Sequence, residues 1–279
     1  MRRLRKGSGG EGLMSGSTDN ERMIYLYCLT RSHDENPFDL SIKGIGRRGD
    51  EVHSISFLDL ALAVSDSPQD EYETSRAHTM SHQLVCEEVL NEGFTVLPVR
   101  FSTVAKSTSD GSSAEEKIMR LLRRRYGEFE SLLQEMEDKV ELGLKVFWRK
   151  ERLFQDIVAG NPDIRRLRNR LAASPHSHHD RIELGSLVSN SIEAKRDVDA
   201  QMLARALSPL AERYEANKIL IDMMVLNAAF LVHRSRVDEF DHQVNELDAK
   251  YGNRMMFKYV GETPPFNFVE IVVHWEDED

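Results

Sequence analysis

Several groups of residues have the types and spacing that chemistry requires. Gly44-Ile45-Gly46-Arg47-Arg48-Gly49 matches the glycine string that brings backbone N–H groups against a pyrophosphate. That motif works when a helix N-terminus follows the glycines. Here Asp50-Glu51 and a β-type pattern follow, so the string reads as a turn. His176, His178, His179 and Asp180 could ligate zinc only if the backbone folded back on itself, and no distant ligand completes the set. They read as a solvated loop. Arg120 to Arg125 and Arg165-Arg166-Leu167-Arg168-Asn169-Arg170 could track phosphates. Both runs lie in helical stretches with acids such as Glu115, Glu116, Glu128 and Glu130 nearby, and read as surface faces making ion pairs. Cys28 and Cys86 stand in apolar segments without C-x-x-C spacing, and read as buried free thiols of a reducing cytosol. No Ser-His-Asp order, G-x-S-x-G elbow, Walker loop or H-E-x-x-H helix occurs. These residues make no catalytic constellation and call for no cofactor and no metal.

The chain that positions them has 279 residues, which predicts two domains. Its 37 basic and 47 acidic residues give a net charge of −10, while 40% of residues are hydrophobic and 30% charged. That balance suits globular cores and argues against disorder. It also argues against nucleic acid or an anionic membrane as partner, because counterion release needs a basic face. No apolar run approaches the ~20 residues of a membrane-spanning helix. Residues 1–22 are basic and glycine-rich with few hydrophobes, and read as a flexible tail or a remnant of expression. They carry a net +2, which leaves −12 on the rest.

The apolar run at 23–29 predicts a buried strand. Residues 42–57 read as a hairpin around the glycine turn, and 60–65 as a further strand ended by Asp66-Ser67-Pro68. From 75 to 91 Met80, Leu84, Val85, Val89 and Leu90 share one helical face, and Gly93 stops the helix. Residues 96–101 are extended, with Pro98 at a strand end, edge or bulge. Ser113 and Glu116 form a capping box for a helix of about five or six turns that runs to Met136. Alternation at 140–148 places Leu142, Leu144, Val146 and Trp148 on one side of a strand. Residues 151–218 read as charged helices broken at Asn161-Pro162 and at 174–180, with a long helix over 181–218 kinked near Pro209. A strand at 223–232 and a helix capped by Ser235 and Asp238 follow, with Val237, Phe240, Val244, Leu247 and Tyr251 as its stripe. A strand at 255–260, a turn at 261–265 and an apolar run at 266–273 complete the chain. The fold class is α+β. Residues 23–138 form an N-terminal α+β domain, and 139–279 a ferredoxin-like α+β domain with an enlarged helical insertion at about 151–218.

Five motifs in this order resemble the gas vesicle protein F/L family (GvpF/GvpL). They are Ile24-Tyr25-Leu26-Tyr27, the block Val96-Leu97-Pro98-Val99-Arg100-Phe101-Ser102-Thr103-Val104, and Glu141-Leu142-Gly143-Leu144-Lys145-Val146-Phe147-Trp148. Leu226-Asn227-Ala228-Ala229-Phe230-Leu231-Val232 and Gly261-Glu262-Thr263-Pro264-Pro265-Phe266-Asn267-Phe268-Val269 complete the set. The resemblance runs from about residue 23 to 273. Family members usually have Gly where Ser102 stands, and Gly-Pro-Trp-Pro-Pro-Tyr in the last motif, so Glu262, Thr263 and Phe266 depart from the pattern. The resemblance implies a non-enzymatic minor structural component or assembly factor of cytoplasmic gas vesicles. Such a protein associates with the small hydrophobic shell protein GvpA and with other accessory gas vesicle proteins, helping to nucleate the shell and prevent aggregation.

A shell protein that polymerises through apolar surfaces aggregates unless a partner covers them. A covering protein needs a docking face and enough charge to stay dispersed, and the acidic body supplies the charge. Pro98, Arg100, Phe101, Pro264, Pro265, Phe266 and Phe268 are the candidate interaction residues. The alternative is a small-molecule sensor or enzyme on a ferredoxin-like domain, a fold with many uses.

Overall fold

A computed structural model describes residues 22–31, 42–46, 50–107, 111–174 and 176–276. The tail at 1–21, Arg47, Arg48 and Gly49 of the glycine string, Pro175 and the last three acids lie outside the described residues. Two antiparallel sheets, one in each half of the chain, organise the rest.

The first sheet has the order β2 (His53–Phe57), β3 (Leu60–Ser67), β1 (Met23–Arg31), β4 (Leu97–Pro98), with β5 (Val104–Lys106) also paired to β1. The continuous apolar run of β1 is buried on both faces, as a central strand requires. Tyr25 and Tyr27 point toward α1 (Arg76–Asn91), with Val85, Cys86 and Val89 in the same cluster. Ile24, Leu26 and Leu29 point toward α2 (Ala114–Arg124) and α3 (Tyr126–Met136), packing with Ile118, Leu122 and Phe129.

The second sheet has the order β7 (Arg213–Ala216), β8 (Met224–His233), β6 (Lys139–Trp148), β9 (Met255–Thr263). Three helices, α4 (Lys150–Gly160), α5 (Pro162–Ala173) and α6 (His178–Leu207), separate β6 from β7, and α7 (Val237–Tyr251) separates β8 from β9. A β-α-β-β-α-β chain with this strand order is ferredoxin-like, and the three helices are its enlarged insertion. Leu142, Leu144, Val146 and Trp148 face the helices together with Phe240, Val244 and Leu247.

Several local expectations are corrected. On α1, Met80 and Leu84 are 45% and 43% exposed, and His82 and Cys86 turn inward instead. Tyr25, one strand away, supplies the polar partner that lets His82 be buried. The expected helix to Met136 divides at Arg125, which has φ −100° and ψ 16°. Its guanidinium grips Glu128 at 2.8 and 2.6 Å and donates to the Val272 carbonyl at 2.7 Å. The capping box of Ser113 and Glu116 forms as expected. His178, His179 and Asp180 belong to the first turn of α6, because Ser177 caps it. That helix stops at Leu207, where Pro209 lies in a 3₁₀ turn, and β7 replaces its expected continuation to 218. Neither Ser235 nor Asp238 caps α7: a 3₁₀ turn at Arg234–Arg236 precedes it, and the His233 ring accepts the Ser235 N–H. Strand β9 runs on to Thr263, into the expected turn. The hairpin at 42–57 is reduced to one bridge, Lys43 with Glu51, and β2 takes β3 as its ladder partner.

Asp199 anchors the helical insertion. It is 4% exposed and accepts the Trp148 indole N–H at 2.8 Å, with Lys195 at 3.4 Å and Arg254 at 3.3 Å. Arg196 lies over the Trp148 ring and donates to the Met224 and Asp222 carbonyls. Removing one member of such a buried set leaves the others unpaired. Asp199→Ala is expected to lower unfolding free energy by about 3 kcal/mol in urea titrations. A loss below about 0.5 kcal/mol would show the anchor to be dispensable.

Candidate functional site

The two candidate segments are distant in sequence and adjacent in the fold. Pro98 has no N–H to give a ladder, and its carbonyl accepts the Ile271 N–H at 2.8 Å. Arg100 N–H then donates to the Ile271 carbonyl at 2.9 Å, so Val99 and Ile271 form a parallel bridge. On the solvent side the Arg100 guanidinium meets Glu270 at 2.9 Å. The strand end at Pro98 is therefore covered by the chain's own residues 269–271.

The second segment is held from the other side by Glu141 of β6. This carboxylate is 6% exposed and accepts from the Asn267 backbone at 2.7 Å and its side chain at 2.5 Å. Burial pushes its pKa up and the Asn267 bonds draw it back. Pro264 and Pro265 are buried, and their carbonyls close a turn by accepting the N–H groups of Phe266 and Phe268. Phe268 lies under the Arg213 guanidinium, 5.3 Å from its ring centre. Where the chain departs from the family's residues, Glu262 pairs with Arg234 at 2.7 Å and Thr263 donates to the Glu141 carbonyl at 3.2 Å.

Phe101 and Phe266, both half-buried, border a cavity of 160 Å³ together with Thr79, His82 and Pro98. A larger cleft of 420 Å³ lies beside it. Gly143, Ala228 and Ala229 lie on its floor, Gln83 and Glu87 of α1 form one wall, and residues 263–267 form the other. The structure thus brings Pro98, Phe101, Pro264, Pro265 and Phe266 to one seam between the sheets, with Arg100 and Phe268 on its outer side. Sequence reasoning missed Glu141, Asn267, His82 and Arg125 as the residues that hold the seam. An acid inside the apolar alternation of β6 was the available signal for Glu141.

Behind the seam is a polar cluster. The Tyr25 hydroxyl lies 3.0 Å from His82 Nδ1 and accepts the Ser102 N–H at 3.0 Å, while Ser102 Oγ accepts the Tyr72 N–H at 2.8 Å. Ser102 has φ +66°, the left-handed region that favours glycine. That conformation explains why glycine suits this position, and the bond to Tyr72 offsets the strain of serine. Burial lowers the His82 pKa to about 4, against a backbone bond to Val99 that raises it. Cys86 Sγ is 3.9 Å from His82 Nε2, but the thiol is fully buried and burial pushes its pKa well up. A protonated thiol beside a neutral imidazole packs; it does not attack.

The remaining candidates of the sequence are engaged within the chain. Asp180 is gripped by Arg170 at 2.8 and 2.6 Å, and Arg166 pairs with Asp163. Among the described residues no three His, Cys, Asp or Glu side chains are grouped to hold a metal, and no helix is long and apolar enough to cross a membrane.

Fold and site define an α+β protein with a ferredoxin-like second half, joined to the first by a returning C-terminal segment. The family model described as gas vesicle synthesis protein GvpL/GvpF matches residues 23–270, and the chain belongs to that family. Gas vesicle protein F of Dolichospermum flosaquae is 25% identical, over 89% of this chain and 98% of its own length. Gas vesicle protein F of a Streptomyces species is 28% identical, over 88% and 99%. The crystal structure of GvpF from Anabaena sp. PCC7120 superposes with a TM-score of 0.73 at 25% identity, covering 91% of this chain and 100% of that one. The fold also matches GvpF from Microcystis aeruginosa, with a TM-score of 0.67 at 23% identity over 89% and 99%.

Two outcomes test the seam. Ser102→Gly is expected to change stability by less than about 1 kcal/mol, while Ser102→Val costs about 2 kcal/mol or more, because a β-branched residue is strained at positive φ. Equal effects in thermal unfolding would contradict the conformational argument. His82 gives a pH signature. Its folded pKa lies below the ordinary value of 6.5, so the folded protein binds fewer protons than the unfolded chain between pH 6.5 and about 4. Its contribution is complete above that window and is lost as pH falls through it, by roughly 3 kcal/mol in all. His82→Gln, which keeps an acceptor for Tyr25 but does not titrate, should lose that part of the slope. A variant as pH-sensitive as the parent would refute the assignment.

Proposed function

We propose that this chain is a non-enzymatic minor structural or assembly component of cytoplasmic gas vesicles. It binds the hydrophobic shell protein GvpA and other accessory gas vesicle proteins, aids nucleation of the shell and prevents aggregation of its subunits. Membership of the GvpL/GvpF family across residues 23–270 carries this reading. The geometry supports it in two ways. Phe101 and Phe266 stand half-buried at the mouth of a cavity beside an open cleft, a place where an apolar side chain from a partner can insert. The net charge of −10 keeps the chain dispersed while it holds an aggregation-prone partner. The proposed division into 23–138 and 139–279 follows the two sheets.

The test is retention of GvpA from the same cell by affinity-tagged chain. Phe101→Ala with Phe266→Ala is expected to reduce retention about tenfold while thermal unfolding shows the variant folded. Absence of any association with GvpA or an accessory gas vesicle protein, together with normal vesicles after deletion, would defeat the proposal.

A further inference from the structure

The helical insertion carries a second surface. Within the 30 residues of α6, burial is confined to Asp180, Asp199, Leu203 and Leu207, so most of its first two-thirds packs only partly. Phe154 and Val158 of α4, Ile164 of α5, and Leu184 and Val188 of α6 line a groove of 560 Å³. Phe154 is 36% exposed there, an aromatic left at the surface of a chain that buries its other large apolar side chains well elsewhere.

The rim of this groove is cationic. Arg165 and Arg168 border it, with Glu151 and Gln155 at the α4 side. Arg165 donates to the Val158 and Ala159 carbonyls at the end of α4, and Arg168 to the Asn169 side chain. Among the described residues neither forms an ion pair with a carboxylate. On the same helix Arg166 and Arg170 are both paired with aspartates. Two arginines without acidic partners beside an apolar floor are unusual in a chain of net charge −10, where carboxylates are plentiful.

We propose that the groove between α4, α5 and α6 docks one amphipathic helix of a partner protein, its apolar face flanked by Asp or Glu. The walls are helices whose backbone groups are already bonded, so they offer no edge for a strand and suit side-chain packing by another helix. Apolar residues at i, i+3, i+4 and i+7 of the partner fill the floor over Phe154, Val158 and Val188. Flanking carboxylates meet Arg165 and Arg168, which fixes the sense of the charge. The acidic remainder of the chain repels such a helix elsewhere and confines it to this groove. The surface lies apart from the seam residues, and its existence does not depend on the binding of GvpA there.

The probe is a fluorescein-labelled synthetic helix of about 18 residues with a leucine face and glutamate flanks, long enough to hold helical structure. Its match carries lysine at every glutamate position. Fluorescence anisotropy with the full chain is expected to show saturable binding of the glutamate peptide and about tenfold weaker binding of the lysine peptide. Arg168→Glu, an exposed substitution, should invert that preference, and Val188→Asp should abolish binding of both. The seam variant Phe101→Ala with Phe266→Ala should bind the peptide as the parent does. No saturable binding, equal affinity for the two peptides, or loss only in the seam variant would each overturn the proposal. So would concentration-dependent self-association removed by Phe154→Ser, which would assign the groove to a second copy through a face such as Met80 and Leu84 of α1.

Discussion

The structure depends on residues 264–271 being held from two sides at once. Glu141 takes both donors of Asn267, and Ile271 exchanges backbone bonds with Pro98 and Arg100. The Arg100–Glu270 pair joins residues 170 positions apart. A buried carboxylate without donors is costly, as is a buried strand end without backbone partners. Each half of the chain therefore supplies what the other half's edge requires. Val269 and Ile271 enter the core of the first sheet, so displacing the segment would expose apolar surface as well as unpaired backbone.

This arrangement bears on the proposed role. A protein that holds sticky subunits must keep its own edges from joining them in an open-ended ladder. Here β4 is only two residues long and is covered by its own chain, and the neighbouring cavity and cleft offer pockets for side chains. Docking through pockets stays selective, whereas docking through a free edge propagates. The buried His82, Tyr25 and Ser102 cluster stiffens the same seam from behind, so its geometry is set before any partner arrives.

Much of this was legible in the sequence because the signals were local. The alternation of β6, the stripe of α7 and the run of β8 gave the ferredoxin-like half, and Ser113 with Glu116 marked a helix start that the structure reproduces. Family resemblance was legible in five short motifs, and Ser102 now has a conformational reason for the glycine usually found there. The misses were tertiary. Short β7 exists because β8 offers it a partner, not because Arg-Tyr-Glu-Ala favours a strand. Arg125 divides a helix to reach the Val272 carbonyl, a target 147 residues away. On α1 the apolar residues Met80 and Leu84 lost the inward face to His82 and Cys86, because the sheet above them presents tyrosine hydroxyls and a backbone carbonyl. The seven candidate residues were found from two motifs, but only the fold showed that most of them share one seam.

The central claim is that a gas vesicle subunit seats its apolar side chains in this seam. A photo-crosslinking amino acid at position 266 inside vesicle-forming cells reads that contact directly, with position 215 on β7, exposed and part of no site proposed above, as its control. The account predicts a GvpA adduct from position 266 and none from position 215. Adducts of equal yield from both positions, or none from 266 while vesicles form, would contradict it.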